Sequence, residues 1–118
     1  MLVQYYIVDH SLSMRRGKAA AQVAHAAEKA LLAGQQEQNT VGWYDTPYTQ
    51  WLEGDLRTKV VLKGTTADLQ RALDEIPNTL EIRDAGLTEI EPNTRTVVVL
   101  PVMSKENAPS WVQQLSLL

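Results

Sequence analysis

The chain has 118 residues, a formal net charge of -3 and no cysteine. A chain of this length buries a sizeable core but leaves little room for a second one, so we expect a single domain over residues 1–118. The acidic charge argues against a protein that holds nucleic acid by bulk electrostatics, and the lack of cysteine excludes disulfides and thiolate chemistry.

Residues 2–8 are an apolar run rich in β-branched and aromatic side chains. Such a run predicts a strand that is buried on both faces and therefore central in a sheet. Turn-forming residues follow, and alanine-rich residues from about 17 to 33 predict a helix, for which Gly34 is a natural C-terminal stop. A strand, a loop and a helix in this order are the opening of an α/β unit.

The predicted helix carries two stripes of side chains. Steps of four, three and four residues place Lys18, Gln22, His25 and Lys29 on one face. This polar stripe can bind an anion or move a proton, although ordinary solvated positions are the alternative. The other stripe consists of small apolar residues, which favour close packing on a sheet. Its members are Ala20, Val23, Ala27, Ala30 and Leu31.

A basic patch lies at the predicted start of this helix. It contains Arg15, Arg16 and Lys18. The free backbone N–H groups and the helix dipole at such a position also favour a phosphate. A local RNA contact is therefore compatible with the acidic chain, and a solvated basic turn is the alternative.

The segment after the helix contains many aromatic residues. Residues 35–42 are polar and predict a surface loop. Thr46 and Pro47 then predict the cap and the first residue of a short helix that Gly54 ends. We interpret four large rings here as a satellite core rather than as a base-stacking surface. They are Trp43, Tyr44, Tyr48 and Trp51.

A second strand and helix follow. Residues 59–63 predict a short buried strand. Thr65 or Thr66 is placed to cap a helix whose apolar residues recur at helical spacing up to Ile76.

The last two strands flank a polar loop. Residues 80–83 alternate apolar and polar, residues 96–100 form an apolar β-branched run, and residues 107–115 can make a short final helix. The loop between the strands is long enough to reverse the chain. The whole order predicts an α/β protein with one mixed four-stranded sheet and helices on both faces.

This loop is the second conspicuous stretch of the chain. It holds Asp84, a tight glycine turn at Gly86, and the hydroxyls of Thr88, Thr94 and Thr96. Acids and hydroxyls at the end of a strand can accept protons and bind phosphate or ribose, and α/β sites usually lie there. A plain connecting loop is the alternative.

The composition also bears on where the protein works. No apolar run is long enough to cross a bilayer, and no basic leader precedes an apolar segment. Two histidines without a cysteine do not indicate a structural zinc site. We therefore expect a soluble, cytoplasmic protein that needs no metal and no cofactor.

The two conspicuous stretches resemble the signatures of a known family. Met-x-x-Gly-Lys-x-Ala-Ala-Gln-x-x-His-Ala begins at Met14, and Asp-Ala-Gly-x-Thr-x-Ile-x-Pro-x-Thr-x-Thr-Val begins at Asp84. Both are similar to motifs of the type 2 peptidyl-tRNA hydrolases, which are found mainly in archaea and eukaryotes. Residues 51–63 and 114–118 also resemble this family, and the likeness is weakest from 35 to 48.

The resemblance implies a mixed four-stranded sheet, usually in a homodimer, and a metal-independent enzyme that hydrolyses the ester joining a peptide to the terminal ribose of tRNA. Peptidyl-tRNA is then the substrate. The implied catalytic residues are Lys18, Gln22, His25, Asp84 and Thr88. Substrate binding is assigned to Arg15, Arg16, Lys63, Thr94 and Thr96.

Hydrolysis of such an ester needs mainly a placed water and a stabilised oxyanion, because the bond is already activated. Asp84 or His25 can accept the proton of the water, and the sequence leaves both open. Lys18 can meet the oxyanion or a phosphate, and Gln22 can orient the water or the peptide carbonyl. We predict that the first helix and the Asp84 loop converge on one site.

Some residues depart from the family pattern. The family usually has an acid at Ser11, lysines at Ser13 and Arg16, glycine at Arg15 and arginine at Leu87. The changes at Ser13 and Leu87 remove positive charge near the expected tRNA phosphates. A catalytically weak binding or regulatory module, or an esterase on another substrate, is therefore the alternative function.

Overall fold

The computed structural model of the protein describes residues 1–38, 47–86 and 90–118. The strands are β1 (Leu2–Asp9), β2 (Lys59–Gly64), β3 (Leu80–Arg83), β4 (Arg95–Val99) and β5 (Met103–Ser104). The α-helices are α1 (Arg16–Gln38), α2 (Pro47–Glu53), α3 (Thr66–Glu75) and α4 (Ser110–Gln113). None of the helices in these ranges is both long and apolar enough to cross a membrane.

The strands form one mixed sheet, as predicted. Its order is β2-β1-β4-β3, with β1 and β2 parallel and β4 antiparallel to both of its neighbours. The loop between β3 and β4 therefore reverses the chain. A fifth strand, β5, pairs with the start of β1. It was not predicted, because two residues are too few to show a period-2 pattern.

The central strand is β1, and its two faces bury two separate cores. Val3, Tyr5 and Ile7 pack with apolar residues of α3 and α4. Tyr6 and Val8 point the other way and pack with small residues of α1. Because side chains alternate along a strand, burial on both faces requires an unbroken apolar run. The predictions of a central β1 and of helices on both faces are confirmed.

The prediction that the second strand is buried is wrong in most positions. Along β2, Leu62 and Gly64 are buried, whereas the other residues are half-buried or exposed. The strand lies at one end of the four-strand order, so one edge of it has no full strand as neighbour. The chain's last residues pair with that edge, because Lys63 donates its N–H to the Ser116 carbonyl and Leu118 donates to the Val61 carbonyl.

The predicted end of the first helix is also wrong. Helix α1 continues through Gly34 to Gln38. Gly34 is buried, and a Cβ atom at this position would overlap the ring of Tyr48 on α2. The glycine therefore allows α2 to approach α1 closely rather than ending the helix.

The apolar stripe of α1 differs in part from the predicted one. Ala20 and Leu31 are exposed, whereas Ala19 and Ala26 are buried. Val23, Ala27 and Ala30 do pack against the sheet, as predicted. Methyl groups on both sides of the helix give almost no hydrophobic contrast, so the sequence alone does not select the buried side.

The remaining helices follow the prediction more closely. Helix α2 begins at Pro47 and ends before Gly54, whereas Trp43, Tyr44 and the predicted cap Thr46 lie outside the described residues. Thr65 caps α3, and the Asp68 side chain completes a capping box. Helix α4 covers four residues only, which is shorter than the predicted final helix. Pro109 precedes its first residue, and residues 105–107 form a separate 3₁₀ turn.

Candidate active site

The candidate site lies where several strands end together. β1, β2 and β3 run in the same direction, because β4 is antiparallel to both β1 and β3. Their carboxyl ends therefore meet at one edge of the sheet, and α1 begins at this edge after the turn that follows β1. In α/β sheets such an edge is the usual place for a site.

The two sequence motifs meet at Asp84, the first residue after β3. Lys18 of α1 donates from Nζ to Asp84 Oδ1 at 2.5 Å. Gln22, one turn further along α1, donates from Nε2 to the same oxygen at 3.3 Å. Asp84 is buried and Lys18 is half-buried. The prediction that the first helix and the Asp84 loop converge is confirmed.

A buried threonine fixes the orientation of Gln22. Thr96 of β4 is fully buried, and its hydroxyl donates to Gln22 Oε1 at 2.6 Å. With the amide oxygen occupied in this way, the amide nitrogen points toward Asp84. Gln22 is itself only 4% exposed. Thr96 and Gln22 therefore form a short buried chain of hydrogen bonds that ends on the carboxylate.

The loop after β3 is closed by its own backbone. Asp84 donates its N–H to the Thr94 carbonyl at 2.8 Å, and Asn93 donates to the Asp84 carbonyl at 2.7 Å. Gly86 donates its N–H to Asp84 Oδ2 at 2.8 Å. Gly86 has φ 78°, and a Cβ there would lie 2.6 Å from Pro92 Cα, so the turn requires glycine. Thr94 contributes to this arrangement through its carbonyl group.

These contacts keep the Asp84 carboxyl group ionised. The hydrogen bond from Lys18 is the main cause that lowers the pKa of Asp84, and burial opposes it. The Gly86 N–H and the charges of Lys18 and His25 lower this pKa further. Both carboxylate oxygens accept hydrogen bonds, so near neutral pH the group is a weakly basic anion.

The polar stripe of α1 is directed at β3 and the loop that follows it. His25 is exposed and close enough to Asp84 for their charges to interact. Lys29 donates from Nζ to the Glu81 carbonyl on β3 at 2.8 Å. The stripe thus extends from the carboxylate at its Lys18 end to a contact with the sheet at its Lys29 end.

The other predicted site residues lie at several distances from this network. Arg15 and Arg16 are exposed at the start of α1. Lys63 is half-buried near the end of β2, and the strands β1 and β4 separate β2 from β3. Thr88 and Leu87 lie outside the described residues.

Sequence reasoning missed a second buried acid at the same sheet edge. Asp9 ends β1 and is 2% exposed. Its Oδ1 accepts from the Ser11 hydroxyl at 2.5 Å, and its Oδ2 accepts from the Thr66 hydroxyl at 2.7 Å. An acid directly after the central strand was the signal that could have revealed it. The contacts connect the end of β1 to the start of α3.

No group of three acids or histidines in the described ranges could hold a metal ion.

Comparison with known proteins extends the observed geometry to a family. The family model described as "Peptidyl-tRNA hydrolase PTH2" matches residues 2–118. The chain belongs to this family. The PTH2 model therefore covers both motifs and every strand of the sheet.

Curated relatives of this PTH2 chain are named peptidyl-tRNA hydrolase and come from archaea. One from Methanopyrus kandleri is 40% identical over 103 residues, which are 81% of this chain and 80% of the relative. One from Sulfurisphaera tokodaii is 38% identical over 78% of each chain. One from Methanococcus maripaludis is 32% identical over the full length of both chains.

Proposed function

We propose that this protein hydrolyses the ester bond between the peptide and the tRNA of peptidyl-tRNA, and that it does so in the cytoplasm, where the freed tRNA is reused. The observation that carries the proposal is the contact of Lys18 with Asp84, because it unites the two family motifs.

Lys18 supplies the positive charge in this proposal. Attack of water on the ester carbonyl places negative charge on the carbonyl oxygen, and a fixed cation nearby stabilises that charge. The Nζ of Lys18 has one acceptor, Asp84 Oδ1, among the described residues. An ammonium group has three donors, so two remain for the oxyanion and for a ribose or phosphate oxygen.

Asp84 acts in this proposal by holding Lys18, and His25 accepts the proton of the attacking water. A proton acceptor must be basic enough to take the proton of the water, whereas the hydrogen bond from Lys18 lowers the pKa of Asp84. His25 is exposed and makes no hydrogen bond within the described ranges. His25→Ala is expected to lower kcat by a factor on the order of 10². An unchanged kcat would leave His25 without this role.

Gln22 and Thr96 are positioning residues in this proposal. Thr96 is too deeply buried to contact a substrate in this conformation, so its influence passes through Gln22 to Asp84. Thr88 keeps a proposed catalytic role from its place in the second motif. Thr94 supports the loop through its carbonyl.

We further propose that Arg15, Arg16 and Lys63 bind tRNA phosphates and that two copies of the chain form a homodimer. Leu32 of α1 is 56% exposed and is apolar surface that a second copy would cover. Sedimentation at micromolar concentration tests the dimer, and the mass of one chain at every concentration would contradict it.

The activity is tested with purified protein and an N-blocked aminoacyl-tRNA that carries a labelled amino acid. We expect release of the label, with little release from free aminoacyl-tRNA as the matched substrate. Binding of the blocked substrate without release would instead favour the regulatory module. Turnover of unrelated esters at the same rate would favour an esterase with another substrate.

A further inference from the structure

A cavity lies at the opposite end of β1 from Asp84. It is bounded by α1, α2 and the start of β2, and its volume is about 390 Å³. This size lies in the range of small-molecule pockets. Its apolar wall includes Ala27 and Leu31 of α1 and Trp51 and Leu52 of α2. The proposed hydrolysis makes no use of this cavity.

One polar side chain of the cavity lacks a partner for its donor. Gln4 is 4% exposed, and its Oε1 accepts a hydrogen bond from the Tyr6 hydroxyl. Burial raises the pKa of Tyr6 to about 12, so the phenol remains a donor near neutral pH. The amide nitrogen of Gln4 has no hydrogen-bond partner in the described part of the chain. A donor that has no protein partner and belongs to a largely buried side chain favours a ligand that presents an acceptor.

The charged residues around the cavity favour an anion. Arg57 and Lys59 both line it, and Glu28 is the single acid among the described lining residues. Arg57 is held in place, because its guanidinium donates to the Leu52 carbonyl at 3.0 Å. Lys59 lies over the ring of Trp51, with Nζ 5.1 Å from the ring centroid. Two cations beside an apolar wall are complementary to an acid with an apolar body.

We propose that this cavity binds a small monocarboxylate whose apolar part is about the size of an aromatic side chain. The apolar part lies against Trp51 and Leu31. One carboxylate oxygen accepts from the Gln4 amide nitrogen, and Lys59 offsets the charge. Such a ligand accepts a hydrogen bond from Gln4, pairs with the charge of Lys59 and packs against the apolar wall. A neutral apolar molecule only packs against the wall.

The first test uses 3-phenylpropionate as the probe and the full chain. Binding is followed by the NMR shifts of the Gln4 side-chain amide and the Trp51 indole N–H, and the dissociation constant by calorimetry. We expect saturable binding of 3-phenylpropionate. The neutral control 3-phenylpropionamide should bind at least about tenfold more weakly, because it lacks the charge that pairs with Lys59. Acetate, which lacks the apolar part, should not saturate. Equal affinity for the acid and the amide would overturn the proposal.

Two variants locate the binding. Ala27→Leu places a larger side chain in the cavity and should weaken binding at least about tenfold, whereas Ala24→Leu on the exposed side of α1 should not. Lys59→Gln, at an exposed position, should reduce the preference for the acid, whereas Lys105→Gln, outside the cavity, should keep it. Unchanged binding in both Ala27→Leu and Lys59→Gln would overturn the proposal, whatever the outcome of the hydrolysis assay.

Discussion

Asp84 shows how a single residue can connect two distant motifs. Lys18 and Gln22 precede it by more than sixty residues in the sequence, and both donate to its Oδ1. The sequence predicted that these residues meet, because both motifs would be polar surface without a role if they lay apart. It could not predict that Gln22 is buried, because helical periodicity alone places Gln22 in a stripe with the exposed His25. The buried amide is paired with the buried Thr96, whose hydroxyl donates to Gln22 Oε1.

The proposed unit of Lys18 and Asp84 leads to a kinetic prediction. Lys18→Ala and Asp84→Asn should each lower kcat by a factor on the order of 10² to 10³, since each removes or releases the cation that meets the oxyanion. The double variant should lose little more than the worse single variant, because two residues that act together are not additive. Lys29→Ala, in the same stripe but bonded to β3, is the matched control and should retain kcat. Multiplicative losses would show that Asp84 acts independently of Lys18.

The lowered pKa of Asp84 predicts a pH dependence of stability. The ordinary value is 3.8, and the folded protein lowers it mainly through Lys18. A group whose folded pKa is depressed stabilises the fold above its unfolded pKa and loses this effect as the pH falls through the folded value. The difference in unfolding free energy between the parent and Asp84→Asn should therefore be constant near neutral pH and shrink below about pH 4.

The control for this measurement is Asp55→Asn. Asp55 is exposed and makes no hydrogen bond in the described part of the chain. Its substitution should change the unfolding free energy little at any pH. A difference for Asp84→Asn that stays the same down to pH 2, where carboxylates are protonated, would contradict the role of the ionised group.

Among the helices and strands, short sequence motifs predicted the helix ends correctly where interactions within one turn determine the structure. Thr65 caps α3, and Pro47 begins α2, because side-chain hydrogen bonding and a fixed φ act within one turn. Such motifs gave wrong predictions where contacts between distant segments determine the structure. Gly34 reads as a helix end, but the approach of Tyr48 explains it. The edge position of β2 and the pairing of β5 depend on the order of strands, which no single segment contains.

The contact between α1 and α2 at Gly34 can be tested by stability. Gly34→Ala should destabilise the protein by about 1–3 kcal/mol in a denaturant titration, because the new methyl group overlaps the Tyr48 ring. Gly17→Ala is the matched control in the same helix, since nothing lies within 4 Å of its Cβ position. It should be neutral or stabilising by up to about 1 kcal/mol.

Gly34→Ala in a Tyr48→Ala background separates the overlap with the Tyr48 ring from other causes of destabilisation. In Tyr48→Ala the ring is absent, so Gly34→Ala should become neutral or stabilising through its better helix propensity. If Gly34→Ala remained equally destabilising in this background, the close approach of Tyr48 would not be the reason for the glycine.

The whole molecule combines an acidic charge with a local cationic end. The chain carries -3, yet Arg15, Arg16 and Lys18 cluster where α1 begins, beside the proposed reaction centre. The composition predicted that any RNA contact must be local, and the fold places these residues together at the sheet edge. What the composition could not predict is the cavity at the other end of β1, because its lining comes from three segments that are far apart in the sequence.

This charge distribution predicts how binding responds to salt. If Arg15 and Arg16 neutralise tRNA phosphates, each releases counterions, and log Kd should rise with log salt concentration by about 0.7 to 0.9 per contact. Arg15→Gln with Arg16→Gln should therefore weaken the binding of deacylated tRNA most at low salt and lower the slope by about 1.4 to 1.8. The kcat for peptidyl-tRNA should stay the same, because the side chains that donate to Asp84 are Lys18 and Gln22 and not these arginines. Lys105→Gln removes one positive charge at an exposed position on a separate 3₁₀ turn. It is the control for the loss of a single charge outside the basic patch and should leave the slope unchanged. Equal slopes for the parent and the double variant would mean that phosphates are bound elsewhere on the molecule.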